Sequence, residues 1–564
     1  MKRFKKILQD YRINGYIVPK NDEYFNEYVN SSQDRLKFIS NFSGSAGFAL
    51  ILENQNYLFT DGRYTIQANN ESGKKFKVIT IPKKFPKDVI KTKKKIIVGF
   101  DPKLHTEKQL KLFFEVKNVD LVPINQNLVD KVWMNKPKEV VRPFFKIALK
   151  HAGKSTETKI QKVKKALKEN KADYLLVTAP ENVAWLLNIR GGDSSFSPIP
   201  NARLLISKKG KINIFTNRNK LKNLFNDKNI EIFDEADLER VLNRIYRKKI
   251  WLDRLSCAFI YKNIITKRSK VLDKIDPIYF FKSIKNKTEI KNIKKSHLID
   301  GVALTKFIFW LKKNFNSKKI TEISAQNKLE SFRKMHISYK FPSFSTISGS
   351  GPNGAIIHYK ASKKTNRRLV ADELYLVDSG GQYSFGTTDV TRTISFKNKS
   401  KYLKEIYTRV LKGNIAVSKF KIKKNSTGAQ IDKNARKFLN QINLDYPHGT
   451  GHEIGYFLNV HEGPQSLSRN NKIKLKKGMV VSNEPGYYKK GSFGIRIENL
   501  IYIKNNKFEE LTIVPIEKDL IYKKILSNSE INWINNYHKK VEKSLKRFMS
   551  LNEKKYLTKA CSPI

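Results

Sequence analysis

The chain has 564 residues, too many for one compact core at the usual ~100–200 residues per domain, so it should hold three or four units. Apolar residues make up 40% and aromatics 11%, which supplies real cores and excludes wholesale disorder. The net charge of +60, from 111 Lys and Arg against 51 Asp and Glu, raises nucleic acid or anionic membrane as a partner. Most of it is Lys spread evenly along the chain, beside abundant Asn, Ile, Phe and Tyr. All five have A/T-rich codons, so a drift in base composition explains the charge without a partner, and nucleic acid is not expected.

The opening MKRFKKILQDYRING is basic but lacks the apolar stretch of ~7–15 residues that a signal peptide needs. No run of ~18 apolar residues is present to span a membrane, so no membrane partner is expected. Cys257 and Cys561 alone cannot form a disulfide framework. A cytoplasmic protein follows. Residues 1–150 alternate short β-like runs with Lys-rich helical stretches. Tyr16-Ile17-Val18 and Phe48–Leu52 read as strands and Asp61-Gly62 as a turn. Val140–Pro143 and Gly153–Ser155 read as a linker. Residues 151–284 open with a helical pattern at Thr156–Asn170 and a strand at Tyr174–Thr178. NGYIVPKNDEYFNEYV in the first segment is echoed by ADYLLVTAPENVAWL in the second, as a duplicated α/β unit would be.

From Lys285 a third segment begins. Ile290, Ile293, Leu298, Val302, Leu304, Ile308 and Leu311 predict a helix within Glu289–Lys313. Beyond Gly349, glycines, prolines and β-branched residues predict mainly strands. The region after about 510 predicts an amphipathic helix near Asn532–Phe548.

Four of the nine histidines lie between positions 358 and 461, interleaved with acids. ELYLVDSGGQY and TTDVTRTISF read as a hairpin turning at Gly380–Gly386. With its centre midway between them, Asp378 and Asp389 would face each other about 5 Å apart. Two carboxylates so placed repel unless a hard cation lies between them; a solvated surface pair is the alternative. His448-Gly-Thr-Gly-His452 sets small residues between two imidazoles, letting the backbone approach a bound group, and His461 follows. In Gly494–Asn499 the alternation predicts one strand with Arg496 and Glu498 on one face, either a plain ion pair or part of a site. With Glu484, these clusters supply four carboxylates and imidazole from separate β segments. That set suits two divalent ions activating a water for attack on a carbonyl.

These residues resemble the pita-bread metallopeptidases, in particular the aminopeptidase P (Xaa-Pro aminopeptidase) family in its long, three-domain cytosolic form. GPNGAIIHY, VDSGGQY, GTTDVTRT, HGTGHEIGYFLNVHEGP, VSNEPGYY and GIRIEN carry the likeness. DRLKFISNFSGSAG, TDGRYTIQA, VTAPENVAWLLNIRG, LTIVPI and INWINNYH extend it over nearly the whole chain. The resemblance implies an α/β protein: creatinase-like domains at 1–150 and 151–284, a pita-bread α+β catalytic domain at 285–510 and its C-terminal extension at 511–564. It further implies metal ligands Asp378, Asp389, His452, Glu484 and Glu498 around two divalent ions, usually manganese, with Glu484 also the general acid/base. His358 and His461 would contact the substrate, His448 would line the pocket, Arg496 would order the surrounding shell, and Arg63 of TDGRY would reach the peptide.

The implied reaction removes the residue before an N-terminal proline, in a homodimer. Glu453 departs from the family's usual Gly and adds negative charge beside the metal His. Lys489-Lys490 departs from a more acidic stretch. Three alternatives stand beside this reading: a prolidase confined to Xaa-Pro dipeptides, a methionine aminopeptidase, and a metal-free pita-bread binding or chaperone protein using the +60 charge.

Overall fold

A computed structural model describes residues 1–221 and 224–564, which divide into two compact units, Met1–Phe281 and Lys282–Ile564. In the first unit, β1 (Gly15–Pro19), β2 (Phe48–Leu52), β3 (Asn56–Asp61), β4 (Lys77–Ile81), β5 (Ile96–Phe100) and β6 (Val119–Pro123) form a sheet ordered β4-β3-β2-β1-β5-β6. A second sheet uses β7 (Tyr174–Val177), β8 (Arg203–Ser207), β9 (Ile212–Phe215), β10 (Ile230–Phe233), β11 (Lys249–Leu252) and β12 (Lys270–Asp273), ordered β10-β9-β8-β7-β11-β12. The strand senses match as well. β1/β2 and β2/β3 are antiparallel, as are β7/β8 and β8/β9. The remaining neighbours in both sheets are parallel. The echo in the sequence thus corresponds to one architecture built twice. Central strands read as unbroken apolar runs, because helical crossovers leave both faces covered; every residue of β1 is buried.

The second unit opens with the helix Lys287–Asn314. Asn286 caps it by accepting from Glu289 N at 3.0 Å, while the Glu289 carboxylate accepts from Asn286 N at 2.8 Å. A three-stranded antiparallel sheet follows, with Tyr375–Ser379 between Ile347–Ser350 and Val390–Ile394. A five-stranded antiparallel sheet runs Glu462–Leu467, Gly451–Glu453, Val480–Asn483, Asn499–Lys504, Lys507–Glu510. Two helices, Lys401–Ser418 and Gly428–Asn440, interrupt the stretch expected to be mainly strand. Their signal was present: Leu403, Ile406, Tyr407, Val410, Leu411 and Ile415 recur at helical spacing, and all but Leu403 are buried. The helix near the C-terminus spans Asn528–Leu545, starting earlier than its apolar pattern because Ser527 and Glu530 form a capping box. Cys257 and Cys561 are free and buried. Among the described residues, no helix is long and apolar enough to cross a membrane.

Candidate metal centre

The hairpin places its two aspartates differently from the sequence expectation. Asp378 pairs with Thr391, Ser379 with Val390, and the register continues through Gln382/Thr387 and Tyr383/Gly386 to a tip at Ser384-Phe385. Asp389 is therefore diagonal to Asp378, two residues from its partner, not opposite it. The cause is the tight tip: the expected Gly380–Gly386 turn is mostly ladder, and the register shifts accordingly. Thr391, opposite Asp378, anchors a third acid, since its Oγ1 donates to Glu498 Oε2 at 2.8 Å and its carbonyl accepts from Glu498 N at 3.2 Å.

Gly451–Glu453 brings in His452, whose Nε2 lies 3.6 Å from Asp389 Oδ2 and 3.4 Å from Glu484 Oε1. Ser482 fixes this corner. Its Oγ accepts from His452 N at 2.9 Å and donates to Glu484 Oε1 at 3.0 Å. Gly451 is required by the neighbouring strand, not by a ligand, because a Cβ there would stand 1.9 Å from the Ser482 carbonyl oxygen. Glu484 and Glu498 each follow a residue held by one helix side chain: Asn414 Nδ2 donates to Asn483 O at 2.9 Å and to Ile497 O at 3.1 Å. The single strand expected across Gly494–Asn499 is broken after Arg496, and Glu498 lies in the gap before Asn499–Lys504.

One ligand atom each from Asp389, His452 and Glu498 lies within 4.8 Å of the other two. Burial, followed by the charges of Glu498, Asp378 and Glu484, holds the Asp389 carboxyl far above its ordinary range. Burial and the charges of Asp378 and Glu484 do the same to Glu498. Glu484 is pushed up to about 7 by burial, against the pull of Arg496. Among the described residues, Asp378 Oδ1 and Asp389 Oδ1 are buried with no hydrogen-bond donor. Four crowded carboxylates with two undonated oxygens are costly as they stand, and divalent cations would satisfy them. The donor set fits a metal centre.

Arg496 contacts Asp378, not Glu498. Its Nη2 is 2.6 Å from Asp378 Oδ2, its Nη1 donates to Tyr488 Oη at 2.6 Å and its Nε to Thr391 Oγ1 at 3.1 Å. Tyr488 Oη also meets His448 Nε2 at 2.9 Å. His461 lies edge-on to His452 with centroids 4.4 Å apart, and His358 is parallel to His461 at 6.5 Å. Arg63 belongs to the other unit, where its guanidinium grips both oxygens of Asp61 at 2.9 and 2.7 Å. Glu453 adds no free charge beside His452. Its Oε1 is paired with Lys285 Nζ at 2.7 Å, and strand alternation turns it to the other face.

Several contributors escaped the sequence reading, among them Tyr488, Ser482, Asn414 and Glu322. Glu322 is fully buried and accepts from Ser350 N, Asn353 Nδ2, Tyr359 Oη and Arg367 N at 2.8–3.0 Å, pinning both ends of the loop that carries His358. Tyr488, Ser482 and Asn414 have no chemical type that marks them in advance, and Glu322 is an acid that stands in sequence apart from the clusters of acids and histidines.

Comparison with known proteins gives consistent matches. The family model described as Metallopeptidase family M24 matches residues 291–505, and the C-terminal region of peptidase M24 matches 505–564. Two Creatinase/Prolidase N-terminal domain models match residues 1–132 and 135–289. Xaa-Pro aminopeptidase 1 of Dictyostelium discoideum is 36% identical over 601 residues, covering 98% of this chain and 94% of the relative. The crystal structure of X-prolyl aminopeptidase from Caenorhabditis elegans, described as a cytosolic enzyme with a di-nuclear active site, superposes with a TM-score of 0.91 at 31% identity, covering 98% of this chain and 95% of that one. Xaa-Pro dipeptidase from Bacillus anthracis gives a TM-score of 0.54 at 25% identity, covering 64% of this chain and 99% of its own. With a full-length relative above a third identical and a catalytic unit that gathers acids and imidazole in one buried centre, the chain belongs to metallopeptidase family M24, its catalytic domain preceded by two creatinase/prolidase-type domains.

Proposed function

We propose that this protein is a metal-dependent exopeptidase that hydrolyses the bond between an N-terminal residue and a following proline. The observation that carries the reading is the match, at 36% identity over 98% of the chain, to an Xaa-Pro aminopeptidase, both N-terminal domains included. Asp378, Asp389, His452, Glu484 and Glu498 would hold two divalent ions. Manganese suits this oxygen-rich set best. Bound there, the ions would polarise the scissile carbonyl and make water more acidic.

The protein's own groups do the rest. Glu484, held by Ser482 Oγ beside His452, is placed to take a proton from the attacking water and deliver it to the leaving nitrogen. Proline's nitrogen leaves as a secondary amine and needs that proton. Proline also has no amide N–H, so a site that reads it requires no acceptor at that atom. His461 and His358 would donate to the carbonyl oxygen as charge develops on it. His448 lines the pocket and is held by Tyr488. Arg496 positions Asp378, and Arg63 is assigned to the peptide by family likeness. Domains at 1–150, 151–284, 285–510 and 511–564, a homodimer, and a cytoplasmic setting complete the proposal. The setting is supported by the cytosolic description of the C. elegans enzyme.

The test is release of the first residue from Xaa-Pro-Xaa, Xaa-Ala-Xaa and Xaa-Pro substrates, with manganese and with chelator. Turnover of the proline tripeptide alone, abolished by chelator, is expected. Turnover of the dipeptide alone would indicate a prolidase, and metal-independent retention of RNA at ~0.2 M salt a binding protein.

A further inference from the structure

Of two His-Glu dipeptides, His452-Glu453 ends one strand and His461-Glu462 leads into its neighbour at Glu462, and after a shift in register Glu453 pairs with Glu462. Like charges directly opposed across a ladder repel. Both side chains are fully buried, where an uncompensated charge costs most. The segment just before the long helix supplies the compensation. Lys282 Nζ is ion-paired with Glu462 Oε2, and Lys285 Nζ lies 2.7 Å from Glu453 Oε1. Both lysine side chains are 1% exposed. Lys285 Nζ also donates to the Lys282 carbonyl at 3.1 Å, which locks the two lysines to each other. Glu462 Oε1 in turn accepts from Asn459 N at 3.2 Å, tying down the loop between the dipeptides.

We infer that Lys282 and Lys285 are positioning residues: a neutral buried quartet with Glu453 and Glu462 that holds His452 and His461 at the metal centre. It rests on the proposed function for what the two histidines do. Each histidine is covalently next to one glutamate, so the two lysines should act on different properties. Lys285, through Glu453, fixes the backbone of His452 and should set metal affinity. Lys282, through Glu462, fixes His461 and should set how the substrate is handled.

The test compares Lys285→Met, Lys282→Met and the compensated doubles Lys285→Met/Glu453→Gln and Lys282→Met/Glu462→Gln with the full-length parent. Mn²⁺ affinity is read by titration calorimetry, kcat and KM on an Xaa-Pro tripeptide at saturating Mn²⁺, and folding by circular dichroism. Lys285→Met should weaken Mn²⁺ binding by at least ~10-fold, the scale found when groups that orient metal ligands are removed. Lys282→Met should lower kcat/KM by at least ~10-fold while leaving Mn²⁺ affinity near that of the parent. Each double should recover most of its loss.

Folded single variants with parental affinity and kinetics overturn the assignment, even if they melt earlier. So do folded doubles that recover nothing, and a double carries the comparison alone wherever its single does not fold. If the parent releases nothing from the tripeptide, the proposed function fails, whereas the calorimetric comparison on Lys285 still decides the quartet.

Discussion

Asp389 and Glu484 show how far chemistry at this site depends on single atoms. Asp389 offers a buried oxygen with no hydrogen-bond donor among the described residues, flanked by the imidazole of His452 and the carboxylate of Glu498. Replacing it by Asn would aim an NH₂ group or a neutral carbonyl at the cations and remove one charge. Glu484 carries the proton in the proposed reaction, and Gln cannot take it. Asp389→Asn and Glu484→Gln should each reduce kcat by at least ~10²-fold, about 2.7 kcal/mol in barrier. Steady-state rates at saturating Mn²⁺ check this, and near-parental turnover in either variant would remove that residue from its role. These types stood out in the sequence because carboxylates and imidazoles are the side chains that bind hard and borderline cations. Tyr488 and Ser482 did not stand out, because a hydroxyl is as often structural as functional.

At the scale of elements, the helix Lys401–Ser418 does for the centre what no ligand can do for itself. Asn414 is buried and its one amide nitrogen spans the carbonyls immediately before Glu484 and Glu498, while Asn483 Nδ2 returns a bond to Asn414 O at 2.8 Å. Arg392 makes a second junction, donating to Glu498 O at 2.7 Å, Pro515 O at 2.9 Å and Val514 O at 2.8 Å from a fully buried position. Asn414→Leu removes the side-chain donor that these two carbonyls share, a loss of about 1–3 kcal/mol. Urea unfolding should show a loss of that size, and calorimetry should show Mn²⁺ bound ~10–100-fold more weakly. Unchanged metal affinity would mean that the strands alone hold the two glutamates.

Across the whole molecule, the proposed ligands all lie in Lys282–Ile564, and the repeated sheets lie in Met1–Phe281. Ligand binding stabilises only the unit that binds, by about 2.7 kcal/mol at a hundredfold excess over Kd. Scanning calorimetry of chelator-treated and Mn²⁺-loaded protein should therefore show one transition moving upward with metal and the other staying in place. Equal shifts of both would show that the units unfold together.

The sequence alone determined the apolar runs that become strands, the duplicated N-terminal architecture and the set of acids and histidines worth watching, because each is written in local spacing and residue type. Phe48–Leu52 is a strand at the boundaries read from the sequence. Tertiary structure decided the rest. It put Asp378 opposite Thr391, gave Arg496 to Asp378 instead of Glu498, set Gly451 against Ser482, and cancelled Glu453 with Lys285. The first and third depend on strand register over short spans, the second and fourth on segments that meet across more than a hundred residues of chain. Such meetings follow from global packing and register, which the side-chain pattern of any one segment does not contain.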